Sequence, residues 1–123
     1  MTESIQVGKT TIALDVLTTI ARLTTLKTPG VSRLTSTSSG VNRLFKRGQP
    51  NEGVVIEVRD DTVYADLYIA LKNNVNIREV SRNIQTEVAE AISEMVVMQV
   101  GYINIHIEDI DYPVENPEES QNL

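Results

Sequence analysis

The sequence predicts a two-layer α+β sandwich in which two helices pack on one face of a mainly antiparallel sheet, in the order β-α-β-β-β-α-β. Three observations carry this expectation. The runs 54–59 and 62–72 alternate apolar and polar residues on either side of Asp60-Asp61, the pattern of an antiparallel hairpin. Two longer stretches, one ending before Pro29 and one starting after Asn76, repeat apolar residues every three or four positions, the period of an amphipathic helix. Finally, 123 residues with 41% hydrophobic and 23% charged side chains suit one soluble core and exclude a fully disordered or membrane-spanning chain.

Each element follows from its local pattern. Ser4 to Val7 alternates polar and apolar residues and reads as a short opening strand. From Ile12 to Lys27, Ala13, Val16, Leu17, Ile20, Ala21 and Leu23 form a helical stripe, which Pro29-Gly30 stops. Val31-Ser32-Arg33-Leu34 starts a strand, and the small polar run Thr35 to Gly40 then reads as a loop. Val41, Leu44 and Phe45 return toward the core before a second loop, Lys46 to Gly53, with Gly48, Pro50 and Gly53.

In the hairpin, Val54, Ile56 and Val58 are expected inward with Val63, Ala65, Leu67, Ile69 and Leu71. The opposite face then carries Glu57, Arg59, Tyr64, Asp66 and Tyr68. Asn73-Asn74 turns the chain, and Asn76 with Glu79 caps a helix whose stripe is Ile77, Val80, Ile84, Val88, Ala91, Ile92 and Met95. Glu87, Glu90 and Glu94 fall outside that stripe. A last strand, Val100 to Ile110, points Ile103, Ile105 and Ile107 inward and Tyr102, Asn104, His106 and Glu108 outward. Residues 1–112 thus form one domain, and residues 113–123 an acidic, Pro-containing tail expected to be disordered.

Composition narrows the function. With no Cys and no Trp there is no disulfide framework, thiolate nucleophile or Cys-based zinc site, which suits a reducing cytoplasm. No apolar run reaches the length of a membrane span and no signal peptide opens the chain, so any membrane association is expected to be peripheral. The net charge of -6 is unevenly spread. Arg22, Lys27, Arg33, Arg43, Lys46 and Arg47 give residues 16–51 a charge of +6 with no Asp or Glu, whereas residues 52–123 carry -11. Oppositely charged surfaces can attract copies of one protein, and nucleic acid binding would rest on the basic segment alone.

Few groups point to catalysis. Gly8-Lys9-Thr10-Thr11 resembles the end of a phosphate-binding loop, but Glu3 occupies the position where the motif needs its first Gly. His106 is the sole His, so imidazole catalysis or a His-based metal site would depend on it, with Glu108 and Asp66 nearby. A surface strand position is the strongly favoured reading of it. The hydroxyls of Thr35 to Ser39 have no base near them in sequence. No catalytic, cofactor or metal residue is expected. Tyr64, Tyr68 and Tyr102 on one sheet face suit an oligomer interface, exposed cross-strand pairing or base stacking. The aromatic signature of RNA-recognition sheets and the Gly-x-x-Gly of KH clamps are both absent. The candidate interaction surface is therefore Tyr64, Asp66, Tyr68, Tyr102 and His106 with Arg43, Lys46 and Arg47. Like charges on Glu87, Glu90 and Glu94 would be relieved by those basic residues from a neighbouring copy.

Four stretches, in order, resemble the alkaline shock protein family of Gram-positive and related bacteria, also called the Asp/Gls envelope stress response family. They are Gly8-Lys9-Thr10-Thr11-Ile12-Ala13 with Val16-Leu17-Thr18-Thr19-Ile20-Ala21, then Pro29-Gly30-Val31-Ser32-Arg33-Leu34, then Gly53-Val54-Val55-Ile56 with Ala65-Asp66-Leu67-Tyr68-Ile69, and last Ile84-Gln85-Thr86-Glu87-Val88 with Ile103-Asn104-Ile105-His106-Ile107. The match runs over roughly residues 5–111. It departs at Asn73-Asn74, where the family often has Gly, and at Val96-Val97, where a Gly usually follows the helix. The resemblance implies a non-enzymatic cytoplasmic protein linked to cell-envelope homeostasis and alkaline stress. It also implies self-association and, in some members, a place at the inner face of the membrane through a membrane-anchored partner. The alternative from the residues is an RNA-binding module using the open sheet face and the basic middle segment.

Overall fold

The computed structural model describes residues 7–36 and 53–114. Its elements are α1 (Leu14–Lys27), β1 (Val31–Leu34), β2 (Val54–Arg59), β3 (Thr62–Lys72), α2 (Ile77–Met95) and β4 (Gln99–Asp111). Both helices and the strands after them lie where their patterns place them. Of the expected opening strand, residues 4–6 lie outside the described residues, and Val7 belongs to no strand. Most of the acidic tail, residues 115–123, also lies outside them.

Strand β3 organises the sheet. β1 and β2 pair antiparallel with the same edge of β3, end to end, β1 against Ile69 to Leu71 and β2 against Thr62 to Leu67. β4 runs parallel along the other edge, so the sheet is mainly antiparallel with one parallel pair. A parallel neighbour needs a long crossover, and α2 supplies it. Between β1 and β2 the chain leaves and rejoins the sheet at a single residue. The Thr35 N–H donates to the Tyr68 carbonyl and the Tyr68 N–H donates to the Gly53 carbonyl, both at 2.8 Å. Arg43, and Lys46 and Arg47 of the second loop, lie outside the described residues.

Turn chemistry explains the connections. Asp60 and Asp61 have φ of 51° and 57°, two consecutive left-handed residues that match a two-residue hairpin turn to the strand twist. Asn74 takes φ 63°, a left-handed conformation that Asn tolerates better than most residues with a side chain. Gly30 combines φ +96° with an approach that would set an added Cβ 2.8 Å from Val80 Cγ2. Helix α2 starts at Asn76, whose side chain accepts the Glu79 N–H at 3.0 Å. It ends on extended Val96, and the bend Val96 to Met98 joins it to β4 without a Gly.

The core lies between the helices and the inner sheet face: Leu17, Ile20 and Ala21 of α1, Val80, Ile84, Val88 and Ile92 of α2, and Val54, Ile56, Val63, Ala65, Leu67, Ile69, Leu71 and Ile103 of the sheet. Six expected core residues depart from this. Ala13, Ile77 and Met95 are exposed because they stand at helix ends, beyond the reach of the sheet. Val58 is 39% exposed, because the helices cover edge strand β2 only as far as Ile56. Val16 and Leu23 are 46% and 45% exposed, because α1 turns a second apolar side to solvent. Its buried side instead takes Thr18 and Thr25, whose hydroxyls donate to the carbonyls of Leu14 and Ala21 at 3.0 and 2.7 Å.

Candidate interaction surface on the outer sheet face

The helices leave the outer sheet face open, and β3 and β4 set its chemistry. Strand alternation projects Tyr64, Asp66 and Tyr68 from β3 and Tyr102, Asn104 and His106 from β4 to the same side. In register, Asp66 faces Asn104 and Tyr68 faces His106. The Tyr68 and His106 rings stack with centroids 4.4 Å apart and planes 13° apart. Asp66 Oδ1 lies 2.9 Å from His106 Nε2 and accepts from Asn104 Nδ2 at 3.1 Å. One carboxylate therefore orients both β4 side chains.

Toward the hairpin, Tyr64 and Tyr102 meet at 4.7 Å with planes tilted by 47°. The Arg59 guanidinium sits 4.3 Å above the Tyr64 ring and 3.2 Å from the Glu57 carboxylate. A register shift makes this packing. Val63 faces Val100 and Ala65 faces Ile103, so β4 carries one extra residue opposite Tyr64. Gly101 lies directly beneath the Tyr64 ring, where an added Cβ would approach Cε1 to 2.4 Å. The ring fills the space that a side chain would take.

At the other end of the face, an ionic clasp joins the two sheet edges. Arg33 reaches Asp111 Oδ2 through Nε at 2.9 Å and Asp109 Oδ2 at 3.1 Å. It also donates to Asp111 Oδ1 at 3.0 Å, and Ser32 Oγ donates to Asp111 Oδ2 at 2.7 Å. The β1 register shifts between Val31 and Arg33, which lets consecutive Ser32 and Arg33 meet one carboxylate. Between the edges lies Ala70, fully buried although it faces outward opposite Arg33 and Asp109. The Asp111 carboxyl is held below the usual carboxylate range, first by its hydrogen bond from Arg33 and then by that from Ser32, while Arg33 is pushed up by the same contact.

The structure thus gathers Tyr64, Asp66, Tyr68, Tyr102 and His106 into one continuous patch, while Arg43, Lys46 and Arg47 lie outside the described residues. Sequence reasoning missed the Asn104 contact, the Gly101 seat and the clasp. Alternation along the last strand puts Glu108 outward and Asp109 inward; the register shift between Ile69 and Ala70 reverses this, and the placement of β1 and β4 on opposite edges of β3 supplies Arg33 as the partner of Asp109 and Asp111. Its one imidazole and nearest carboxylate are engaged with each other and with flanking side chains. Among the described residues no helix is long and apolar enough to cross a membrane.

Known proteins resemble the chain in sequence and in fold. A family model described as the alkaline shock protein 23 family, cell envelope-related function, matches residues 2–112. The chain is 26% identical over 117 residues to the uncharacterized protein YqhY of Bacillus subtilis, covering 94% of this chain and 87% of that protein. It is 30% identical over 105 residues to the uncharacterized protein Spy1535 of Streptococcus pyogenes serotype M6, covering 85% and 80%. Among solved structures, a MamM-CTD is similar with a TM-score of 0.56 at 11% identity, over 79% of this chain and 99% of that one. A nickel form of a MamM CTD variant gives the same TM-score at 10% identity, over 80% and 100%. At such identity the likeness is one of fold.

Proposed function

The chain belongs to the alkaline shock protein 23 family, with its cell envelope-related function, and from that premise we propose that it is a non-enzymatic, self-associating scaffold or adaptor working beside the cell membrane. Its contact surface is the outer sheet face, and the occupant of that face is a second copy of the chain. The observation that carries this reading is the aromatic patch Tyr64, Tyr68, Tyr102 and His106, rigidified by Asp66 and left open by both helices. Stacked aromatic side chains with few rotatable bonds lose little entropy on docking and are enriched where proteins meet. Tyr102, 45% exposed, offers the most surface.

Stress response and a location at the inner face of the membrane through a membrane-anchored protein belong to the same proposal and rest on the family alone. The RNA-binding alternative is the weaker one, because Glu57, Asp66 and Asp109 put carboxylates along the face a phosphate backbone would have to follow. The test is molar mass by light scattering over a hundredfold concentration range, in low and high salt. A mass rising above 13.7 kDa with concentration, and lowered by Tyr102→Glu, is the expected result. A wild-type mass that Tyr102→Glu leaves unchanged removes the sheet face as the contact, and a strict monomer removes self-association.

A further inference from the structure

Helix α1 is apolar on two sides, and only one of them is covered. Its core side spends two positions on Thr18 and Thr25, while Val16, Leu23 and Leu26 stand 46%, 45% and 40% exposed on the outer side. An amphipathic helix on a two-layer fold normally keeps its largest apolar residues for the core, so this placement calls for a second partner. With half-buried Thr19, the exposed residues follow a 3-4-3 spacing, the seam that lets one helix pack along another. The seam borders a groove of about 510 Å³ whose floor and far wall include Ile20 of α1 and Ala91 and Met95 of α2. Asp15 lines one end of that groove and Lys27 the other.

The seam is symmetric about Ala21. Positions 16 and 26, 19 and 23, and 15 and 27 are equidistant from it, the first two pairs apolar or half-buried and the last of opposite charge. An identical helix laid antiparallel across a two-fold axis would therefore set Val16 against Leu26, Thr19 against Leu23 and Asp15 against Lys27, each contact made twice. Self-complementarity of this kind is what an isologous interface demands, and a parallel copy would instead oppose Asp15 to Asp15. Neither Asp15 nor Lys27 has a salt-bridge partner among the described residues. The seam spans about 20 Å at 1.5 Å rise per residue, long enough for a helix pair to interdigitate.

We infer that the outer seam of α1 is a homodimer interface in which a second copy packs its α1 antiparallel, joined at both ends by Asp15 and Lys27. This contact is separate from the outer sheet face, on the opposite layer of the molecule. Light scattering of the full chain carrying Tyr102→Glu isolates it, because that variant blocks the sheet face. The expected mass is twice 13.7 kDa at high concentration. Leu23→Glu, Asp15→Lys and Lys27→Asp each return it to that of the monomer, and the double change Asp15→Lys with Lys27→Asp restores the dimer. Restoration is diagnostic, since the swapped charges oppose the helix dipole at both ends and so gain nothing within one chain. Thermal melting of each variant shows that it is folded.

Two outcomes overturn the inference. A Tyr102→Glu chain that stays monomeric leaves the seam to a foreign helix or to no partner, whatever the wild type does. A dimer indifferent to both single charge reversals excludes the antiparallel arrangement. Conversely, a wild-type mass sensitive to Leu23→Glu but not to Tyr102→Glu sinks the sheet-face reading and keeps this one.

Discussion

Tyr68 and His106 stack ring on ring at 4.4 Å from neighbouring parallel strands, and the Asp66 carboxylate, 2.9 Å from His106 Nε2, fixes the imidazole in that orientation. The stack sits where the chain between β1 and β2 departs, because the Tyr68 backbone bonds both Thr35 and Gly53. Replacing His106 by Ala removes the ring contact and an Asp66 partner together, an expected loss of about 1–2 kcal/mol. His106→Phe keeps the stack and should lose less than half of that. Urea unfolding of both variants checks the order; equal losses would mean the stack contributes nothing.

The clasp makes a pH prediction. In the folded state the Asp111 carboxyl titrates below its unfolded value because Arg33 and Ser32 donate to it. A depressed carboxylate contributes stability that is present above the unfolded pKa of about 3.9 and is lost as pH falls through the lower folded value. Arg33→Ala removes the main donor, so wild type should exceed it in stability at neutral pH and converge on it in strong acid. Denaturant midpoints from pH 7 down to pH 2 measure the difference. A gap that widens on acidification would overturn the assignment.

Much of this was legible beforehand, and the rest was illegible for stateable reasons. The hairpin, both helices and the capping Asn76 follow from near neighbours in sequence, so period and turn chemistry sufficed. The side of β3 and β4 on which Tyr64, Asp66, Tyr68, Tyr102 and His106 stand followed from alternation alone. The clasp did not, since Arg33 and Asp111 are brought together only by the edge that each strand takes. Val16 and Leu23 were assigned to the core because helical period identifies an apolar stripe without saying which side of it faces the sheet.

Gly101 is the least replaceable residue of the aromatic patch. A Cβ there would stand 2.4 Å from Tyr64 Cε1 and 2.7 Å from Cδ1, well inside contact distance. Tyr64 would have to swing away, giving up the Tyr102 ring and the Arg59 guanidinium at once. Gly101→Ala is therefore expected to cost about 1–3 kcal/mol, the range for forced overpacking. The companion change Tyr64→Ala frees the same space, so the double variant should lose less than the two single losses combined. Strict additivity of the two would show that the ring and the glycine do not compete.

The buried threonines of α1 and its end differ in what their hydroxyls do, although Thr25 and Thr28 are 0% and 2% exposed. The Thr25 hydroxyl donates back to Ala21 O at 2.7 Å, an acceptor one helical turn earlier that the helix ladder already serves. Thr25→Val replaces hydroxyl by methyl at nearly constant volume, deprives no group of its last partner and ends the burial of a polar atom. It should fall within about 1 kcal/mol of wild type, on either side. The Thr28 hydroxyl also lies 2.7 Å from the Glu87 carboxylate, a link between α1 and α2 that no backbone group can replace. Thr28→Val is expected to lose about 0.5–1.5 kcal/mol, the net value of one hydrogen bond, because exposed Glu87 regains water. Guanidinium unfolding of the two valine variants separates the cases, and a larger loss at Thr25 than at Thr28 would show that the local bond within α1, rather than the link to α2, holds the helices in place.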